Sequence, residues 1–471
     1  MSDGGALTCP RDGTSTRLTC VECQTPICPK CAVRTPVGLK CPDHARAPAA
    51  DRRPQSRRGV ALLVVVAVVG AVLLVRRYST PQPAEFPCPT QTSPDVGIGP
   101  ESQGTSWSPL ERSPLCGRFS AATAWTGTEF LVWGGQNCAG EQCPADRAPR
   151  LADGGAYDPE RNRWRRFAES PLAGRDSTAS VWTGRELLIW GGAGRTGPLA
   201  DGAAYDPVRD RWRRIAASPL SARWGAAAVW TDQEMLVWGG SGGADGARYD
   251  PEEDRWEPLP SVATPAWASP VAAWTGSELL VFASAGADGL LDAPEARAYD
   301  PVGNTWRALA GPPLGPRDGP ASVWTGGELL IWGGDDPAGD GYLDDGAAFN
   351  PATNVWRPLP AGPLSPRANL LSVWTGREML LWGGLGNPDL TVDRPGLSRN
   401  SPFLDPGATV PLEDGAAYDP ATDRWRRLQS TSLLARGYPL GAWDGKRLLV
   451  WGGLTLVDSI ASASDGARHT P

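Results

Sequence analysis

One phrase recurs through the chain. Ala179-Ser-Val-Trp-Thr-Gly-Arg-Glu-Leu-Leu-Ile-Trp-Gly-Gly192 is followed by Asp201-Gly-Ala-Ala-Tyr-Asp-Pro207 and then by Arg211-Trp212, and variants of it fill residues 106–471. The hydrophobic run ends at Trp133, Trp190, Trp238, Phe282, Trp332, Trp382 and Trp451. Copies at a period of roughly fifty residues point to units that stack on one another, because one such unit cannot bury its own apolar faces. Six copies also carry an aromatic with Trp seven positions later: Tyr157 and Trp164, Tyr205 and Trp212, Tyr249 and Trp256, Tyr299 and Trp306, Phe349 and Trp356, Tyr418 and Trp425.

Each unit reads as four short strands. In the second copy the first strand (residues 178–182) turns back through Thr183-Gly184 into the second (186–190), a hairpin signal of small residues. Gly191-Gly192 lets the backbone leave the sheet without a Cβ clash. The third strand holds Tyr205, Asp206-Pro207 opens a reverse turn, and the fourth carries Trp212. Stacked radially, such sheets bury both faces, with Trp between them.

The double glycine after a hydrophobic strand, with the spaced Tyr and Trp behind it, resembles kelch repeats over residues 106–471. The resemblance implies an all-β fold, a seven-bladed kelch-like β-propeller. Blade four departs, with Val281-Phe-Ala-Ser284 in place of Trp-Gly-Gly. The last unit ends at Asp465-Gly-Ala-Arg-His-Thr-Pro471 and lacks a fourth strand, which Thr105-Ser-Trp-Ser-Pro-Leu110 is expected to supply. Trp107 would then close the ring and leave no open edge.

Upstream the composition changes. Cys9-Pro-Arg-Asp12, Cys20-Val-Glu-Cys23, Cys28-Pro-Lys-Cys31 and Cys41-Pro-Asp-His44 form four pairs at the spacing of tetrahedral zinc ligands. Residues 9–44 resemble a B-box-like, cross-braced zinc finger, placing residues 1–50 in a small module. That resemblance implies one Zn²⁺ on Cys9, Asp12, Cys28 and Cys31 and another on Cys20, Cys23, Cys41 and His44, both structural because closed sites keep no open position. Asp12 stands where the family has His or Cys.

A basic linker (51–58) leads to an apolar run, Gly59 to Val75, whose roughly 25 Å of helix approaches a ~30 Å hydrocarbon core. Residues 59–77 are therefore expected to span a membrane as a helix, too far from the N-terminus for a cleavable signal. Arg46, Arg52, Arg53, Arg57 and Arg58 precede the run and Arg76 and Arg77 follow it, which puts the N-terminus in the cytosol. Cysteine usage agrees: paired thiolates suit the reducing side, while Cys88, Cys116, Cys138 and Cys143 suit disulfides beyond the membrane. Residues 78–105, rich in Pro, Ser and Thr, read as a stalk.

Residues 1–77 hold 12 Lys and Arg against 5 Asp and Glu, and the remainder 33 against 47. The acidic body argues against nucleic-acid binding. With 3 Lys against 42 Arg, the composition points to a GC-rich bacterial genome.

Only His44 and His469 exist, so histidine-based acid/base pairs and triads have no material in the repeats. The Asp residues ahead of Gly recur at one repeat position (Asp153, Asp201, Asp245, Asp345, Asp414, Asp465), which favours a structural role. The expected function is a membrane-anchored surface protein whose propeller binds a protein, peptide or glycan outside the cell, with a cytosolic protein as a further partner of the finger. The alternative is a carbohydrate-active enzyme or lyase working through carboxylates. Two insertions, 136–152 and 385–413, join second strands to third strands, where a propeller differentiates its binding face. Arg118, Arg175, Arg223, Arg317, Arg367 and Arg436 precede the first strands on that same side, with Ala266 in the fourth copy. Two readings stand for these arginines: pairing with the repeat Asp, or a bidentate grip on a carboxylate-bearing ligand.

Overall fold

The computed structural model describes residues 106–138, 148–262, 269–282, 295–337, 341–387, 409–431, 433–456 and 460–471, with four short strands nearer the N-terminus. The expected zinc ligands Cys9, Asp12, Cys20, Cys23, Cys28, Cys31, Cys41 and His44, the apolar run 59–77, the stalk, Cys88, Cys143 and Ala266 lie outside the described residues. Among the described residues no helix is long and apolar enough to cross a membrane, and no group of His, Cys, Asp and Glu gathers to hold a metal ion. The chain divides into two compact units, Met1–Phe86 and Pro87–Pro471. In the first, Leu7–Thr8 pairs antiparallel with Ser15–Thr16, and Val33–Thr35 with Gly38–Lys40.

The second unit is built of strands. Its described residues form seven four-stranded antiparallel sheets. Sheet two shows the pattern: Ala179–Trp182, Leu187–Trp190, Gly202–Asp206 and Arg211–Arg214 pair in chain order. Its first two strands each begin one residue later than the sequence suggests, because Glu186 closes the turn: Thr183 N donates to Glu186 O (3.0 Å) and Thr183 Oγ1 accepts from Glu186 N (2.9 Å). The second strand is buried throughout, which explains its unbroken apolar run in place of alternation. Gly192 has φ +100°, and a Cβ there would lie 2.7 Å from the Asp176 carbonyl oxygen, so the backbone leaves the sheet only through glycine.

The sheets bury their faces against each other. The aromatic ending each second strand packs on the fourth-strand Trp of the following sheet: Trp133 on Trp212, Trp190 on Trp256, Trp238 on Trp306, Phe282 on Trp356, Trp332 on Trp425, Trp382 on Trp107 and Trp451 on Trp164, with centroids 4.4–6.0 Å apart. The series returns to its start. Phe282 in sheet four keeps the contact despite its altered motif. An Asn or Asp two residues before the fourth-strand Trp adds a latch. Asp210, at φ +48°, accepts from Tyr205 Oη (2.6 Å) in its own sheet and from Ala168 N (2.8 Å) in the preceding one. The Trp212 indole N–H, in turn, donates to Ala168 O (3.0 Å).

Sheet seven is completed from the other end of the repeats. Trp107–Pro109 pairs with Ala467–His469 in register Trp107↔His469, and lies beyond Leu440–Trp443 and Leu448–Trp451. Because all sheets are meanders, links from second to third strand and from fourth strand to the next sheet lie on one side, the link face. The tight turns lie on the other, the turn face. Outer strands such as Arg163–Arg166 and Arg211–Arg214 carry arginines at their exposed edge, which disfavours pairing with another chain.

Candidate functional site

The link face holds the residues expected to meet a ligand, and its six arginines each have a partner in the repeat. All six are buried and ion-paired with the repeat Asp: Arg118 with Asp153, Arg175 with Asp201, Arg223 with Asp245, Arg317 with Asp345, Arg367 with Asp414 and Arg436 with Asp465, at 2.7–3.0 Å. Each guanidinium also donates to the carbonyl of the first glycine after its second strand, as Arg175 does to Gly191 O at 3.0 Å. The arginine thus ties the link entering a sheet to the link leaving its second strand. Arginine side chains are 0–5 % exposed and their aspartates 38–66 %, so the outer layer of this ring is carboxylate. Burial alone would raise Asp201, but the hydrogen bond and charge of Arg175, with Arg214, hold it below the ordinary carboxylate range. For Arg118 burial wins and lowers the guanidinium value, although Asp153 opposes it.

Two residues after each of these arginines the backbone is left-handed: Ser120, Ser177, Gly225, Gly319, Asn369 and Tyr438 have φ of 51–68°. The strain is shared by contacts between sheets. Ser177 N donates to Ser120 O (3.1 Å), Gly225 N to Ser177 O (2.9 Å), Asn369 N to Gly319 O (2.8 Å) and Tyr438 N to Asn369 O (2.9 Å). Tyr438 is the exception among small or polar residues, and a bulky side chain at positive φ marks a position held by its surroundings.

Around Tyr438 the site acquires chemistry. Its ring meets Phe119 at 5.7 Å, and burial with the charges of Asp318 and Asp335 raises its hydroxyl to about 12. Asp318 and Asp335 pair as a β-bridge, and Asp335 is raised by burial and then by the charges of Asp318 and Asp336. Tyr342, also near Asp335, donates to Thr409 Oγ1 (3.1 Å). Asp335, Asp336 and Tyr342 sit on the longest hairpin among the described residues, Leu329–Asp336 with Gly341–Asn350. Sequence reasoning singled out neither this hairpin nor Tyr438. The available signal was Tyr438 itself, standing where other copies carry Ser, Gly or Asn.

The described ends of the two expected insertions, 136–138 with 148–152 and 385–387 with 409–413, lie on this face and contact the links of neighbouring sheets. In the first, Cys138 N donates to Ser462 Oγ (2.8 Å) and Ser462 N to Cys138 O (2.8 Å), joining sheets one and seven. Cys116 and Cys138 are disulfide-bonded. In the second, Val410–Pro411 pairs with Leu385–Gly386, which pairs with Arg367–Ala368. Arg436 N then donates to Leu412 O (2.9 Å). No protein-family model matches the sequence, and no curated protein does.

Proposed function

We propose that the chain is a membrane-anchored binding protein whose sheets are the blades of a seven-bladed, kelch-like propeller. Residues 59–77 span the membrane with the N-terminus in the cytosol, and the propeller lies outside. The observation that carries the reading is the contrast on the link face. A repeated Arg–Asp frame holds every described blade except four alike, while the links above it differ from blade to blade and brace one another.

The ligand is a peptide or glycan with amine or hydroxyl groups. Phe119 and Tyr438 offer an aromatic surface, and Asp318, Asp335 and Asp336 offer carboxylates beside it. The six arginines form the inner layer of this face: they position the outer aspartates, and an anionic ligand reaches them only by displacing those aspartates. The test immobilises residues 104–471 and presents cell-wall glycans and secreted proteins. Stoichiometric retention without turnover, lost in Tyr438→Ala and Asp335→Ala, supports binding. Cleavage of a sugar polymer replaces this reading with that of a carbohydrate-active enzyme or lyase.

Residues 9–44 are proposed to hold two structural Zn²⁺ and to present a cytosolic docking surface. Two zinc ions per chain are expected, with Cys23→Ala losing more metal than Asp12→Ala. One ion per chain would remove Cys9, Asp12, Cys28 and Cys31 from the ligand set.

A further inference from the structure

The turn face is not uniform. In sheets six, seven, one and two it carries exposed cations: Arg377 and Arg424, Lys446, Arg161, and Arg185 and Arg211. The same turns of sheets three, four and five carry Asp232-Gln233 and Glu252-Glu253, Gly276-Ser277 and Val302-Gly303, and Gly326-Gly327 and Ala352-Thr353. The first described cation beyond them, Arg255, is paired with Glu253 and Glu257. Within the basic half, Asp158 and Asp419 are largely covered: they cap their turns, accepting from Glu160 N and Ala421 N, and pair with Arg161 (2.6 Å) and Arg377 (3.2 Å), whose outer faces stay in solvent. The exposed acids there are Glu160, beside Lys446 at 3.9 Å and Arg447 at 2.6 Å, and Asp210 and Asp423, which accept from Tyr205 and Tyr418 in their own sheets, so the cations named above outnumber them six to three. Arg161, Arg377 and Lys446 remain 76–78 % exposed.

The chain enters the repeats at the centre of this basic half. The closing strand Trp107–Pro109 runs antiparallel to Gly466–His469, so its start at Ser106 lies on the turn face of sheet seven, between sheets six and one. Some thirty residues upstream is the apolar run ending at Val75. The net charge of this half is opposite to that of an anionic lipid surface.

We propose that the turn face of sheets six, seven, one and two docks on anionic lipid headgroups, leaving the link face turned outward. This rests on the reading of residues 59–77 as a membrane span. The docking is electrostatic: basic groups gather at the negative surface and are released within a Debye length as salt rises.

The experiment places the full chain in nanodiscs of phosphatidylcholine alone, or with about one third phosphatidylglycerol, and follows amide hydrogen exchange of the turns at 160–162, 184–186, 376–378 and 445–447. Co-elution with the neutral discs reports the span separately. Docking predicts protection of these turns in the anionic discs only, removed by about 0.5 M salt. In the variant R161E/R185E/R377E/K446E protection is lost, each lost cation weakening association about fivefold. Equal exchange in both lipids, with the chain inserted, overturns the proposal and leaves the span standing. If the chain does not co-elute, the span reading falls, and sedimentation with phosphatidylglycerol vesicles decides docking: binding lost in the variant supports it, and no binding overturns it. A soluble acidic protein protecting the same turns with no lipid effect also overturns it.

Discussion

Sheet two and sheet seven bury the same kind of core but are held together differently. In sheet two the third and fourth strands are continuous: Tyr205 pairs with Trp212, and its hydroxyl reaches Asp210 within the connecting turn. Sheet seven has no such turn. His469 occupies the Tyr position and stacks on Trp107 at 4.6 Å, from the far end of the chain. Its Nδ1 lies 2.7 Å from Ser106 Oγ, and Ser106 in turn donates to Gln429 Oε1 (2.8 Å). The Trp107 indole still donates to the preceding sheet, at Gln429 O (3.0 Å), as Trp212 does at Ala168 O. The pocket between sheets is thus the same, and covalent continuity is exchanged for side-chain contacts that a solvent change can reach.

The largest effect expected from this difference is at Trp107. Trp107→Ala removes the stack on His469, the contact with Trp382 and the bond to Gln429, and should cost about 3–5 kcal/mol in denaturant unfolding. Trp212→Ala should cost a similar amount, but Trp107→Ala alone should also speed amide exchange at residues 106–110 and 466–470. If the ends exchange no faster, their pairing does not depend on this side chain.

Arg175→Ala tests the frame common to both sheets. The substitution leaves Gly191 O and Ala173 O without their donor and Asp201 O with Gly191 N alone, while the Asp201 carboxylate is exposed enough to regain water. About 3 kcal/mol of stability should be lost. A loss below about 1 kcal/mol would mean that the buried pair is structurally idle.

His469 supplies a pH dependence above the carboxylate range, which sheet two, with no histidine, lacks. Burial, with the charge of Arg426 facing it from sheet six, lowers the imidazole to about 4. The unfolded chain, titrating near 6.5, therefore takes up the proton first. Stability from this group is constant above pH ~6.5, falls as pH drops from there to about 4, and levels off below. Between pH 7 and 4.5 the loss is about 2.5 kcal/mol. His469→Phe, which restores the residue type of Phe349 in sheet five, should abolish that difference in paired unfolding curves. An unchanged pH slope would place the titration elsewhere.

A smaller effect is expected at the left-handed positions of the link face. Asn369→Ala should cost about 1 kcal/mol and Asn369→Gly almost nothing, because φ of 54° is strained for Ala and free for Gly. Equal thermal unfolding of the two variants would contradict this.

Much of the frame was legible beforehand because it is local. The Thr-Gly turns, the apolar second strands and the missing fourth strand of the last copy follow from spacing, and Trp107 pairs where its likeness to Trp212 suggests. What was not legible depends on neighbours in the ring. The Asn or Asp two positions before Trp was not singled out, and its role in accepting Ala168 N across sheets exists only once the sheets stack. The arginines were recognisable as a ring, yet only burial decides whether a guanidinium meets a ligand or an aspartate. The cluster of Tyr438, Phe119, Asp318 and Asp335 draws on three sheets and follows no repeat, so periodicity carried no trace of it.

The central claim is that residues from the two ends of the repeats complete one sheet. It is tested most directly by substituting Ser108→Cys and Arg468→Cys, which face each other in the register, and measuring cross-linking in the native protein under mild oxidation. The account predicts an intramolecular disulfide between the two positions and a higher unfolding midpoint once it forms. Free thiols at both positions in folded protein, with Trp107 accessible to quenchers, would contradict it.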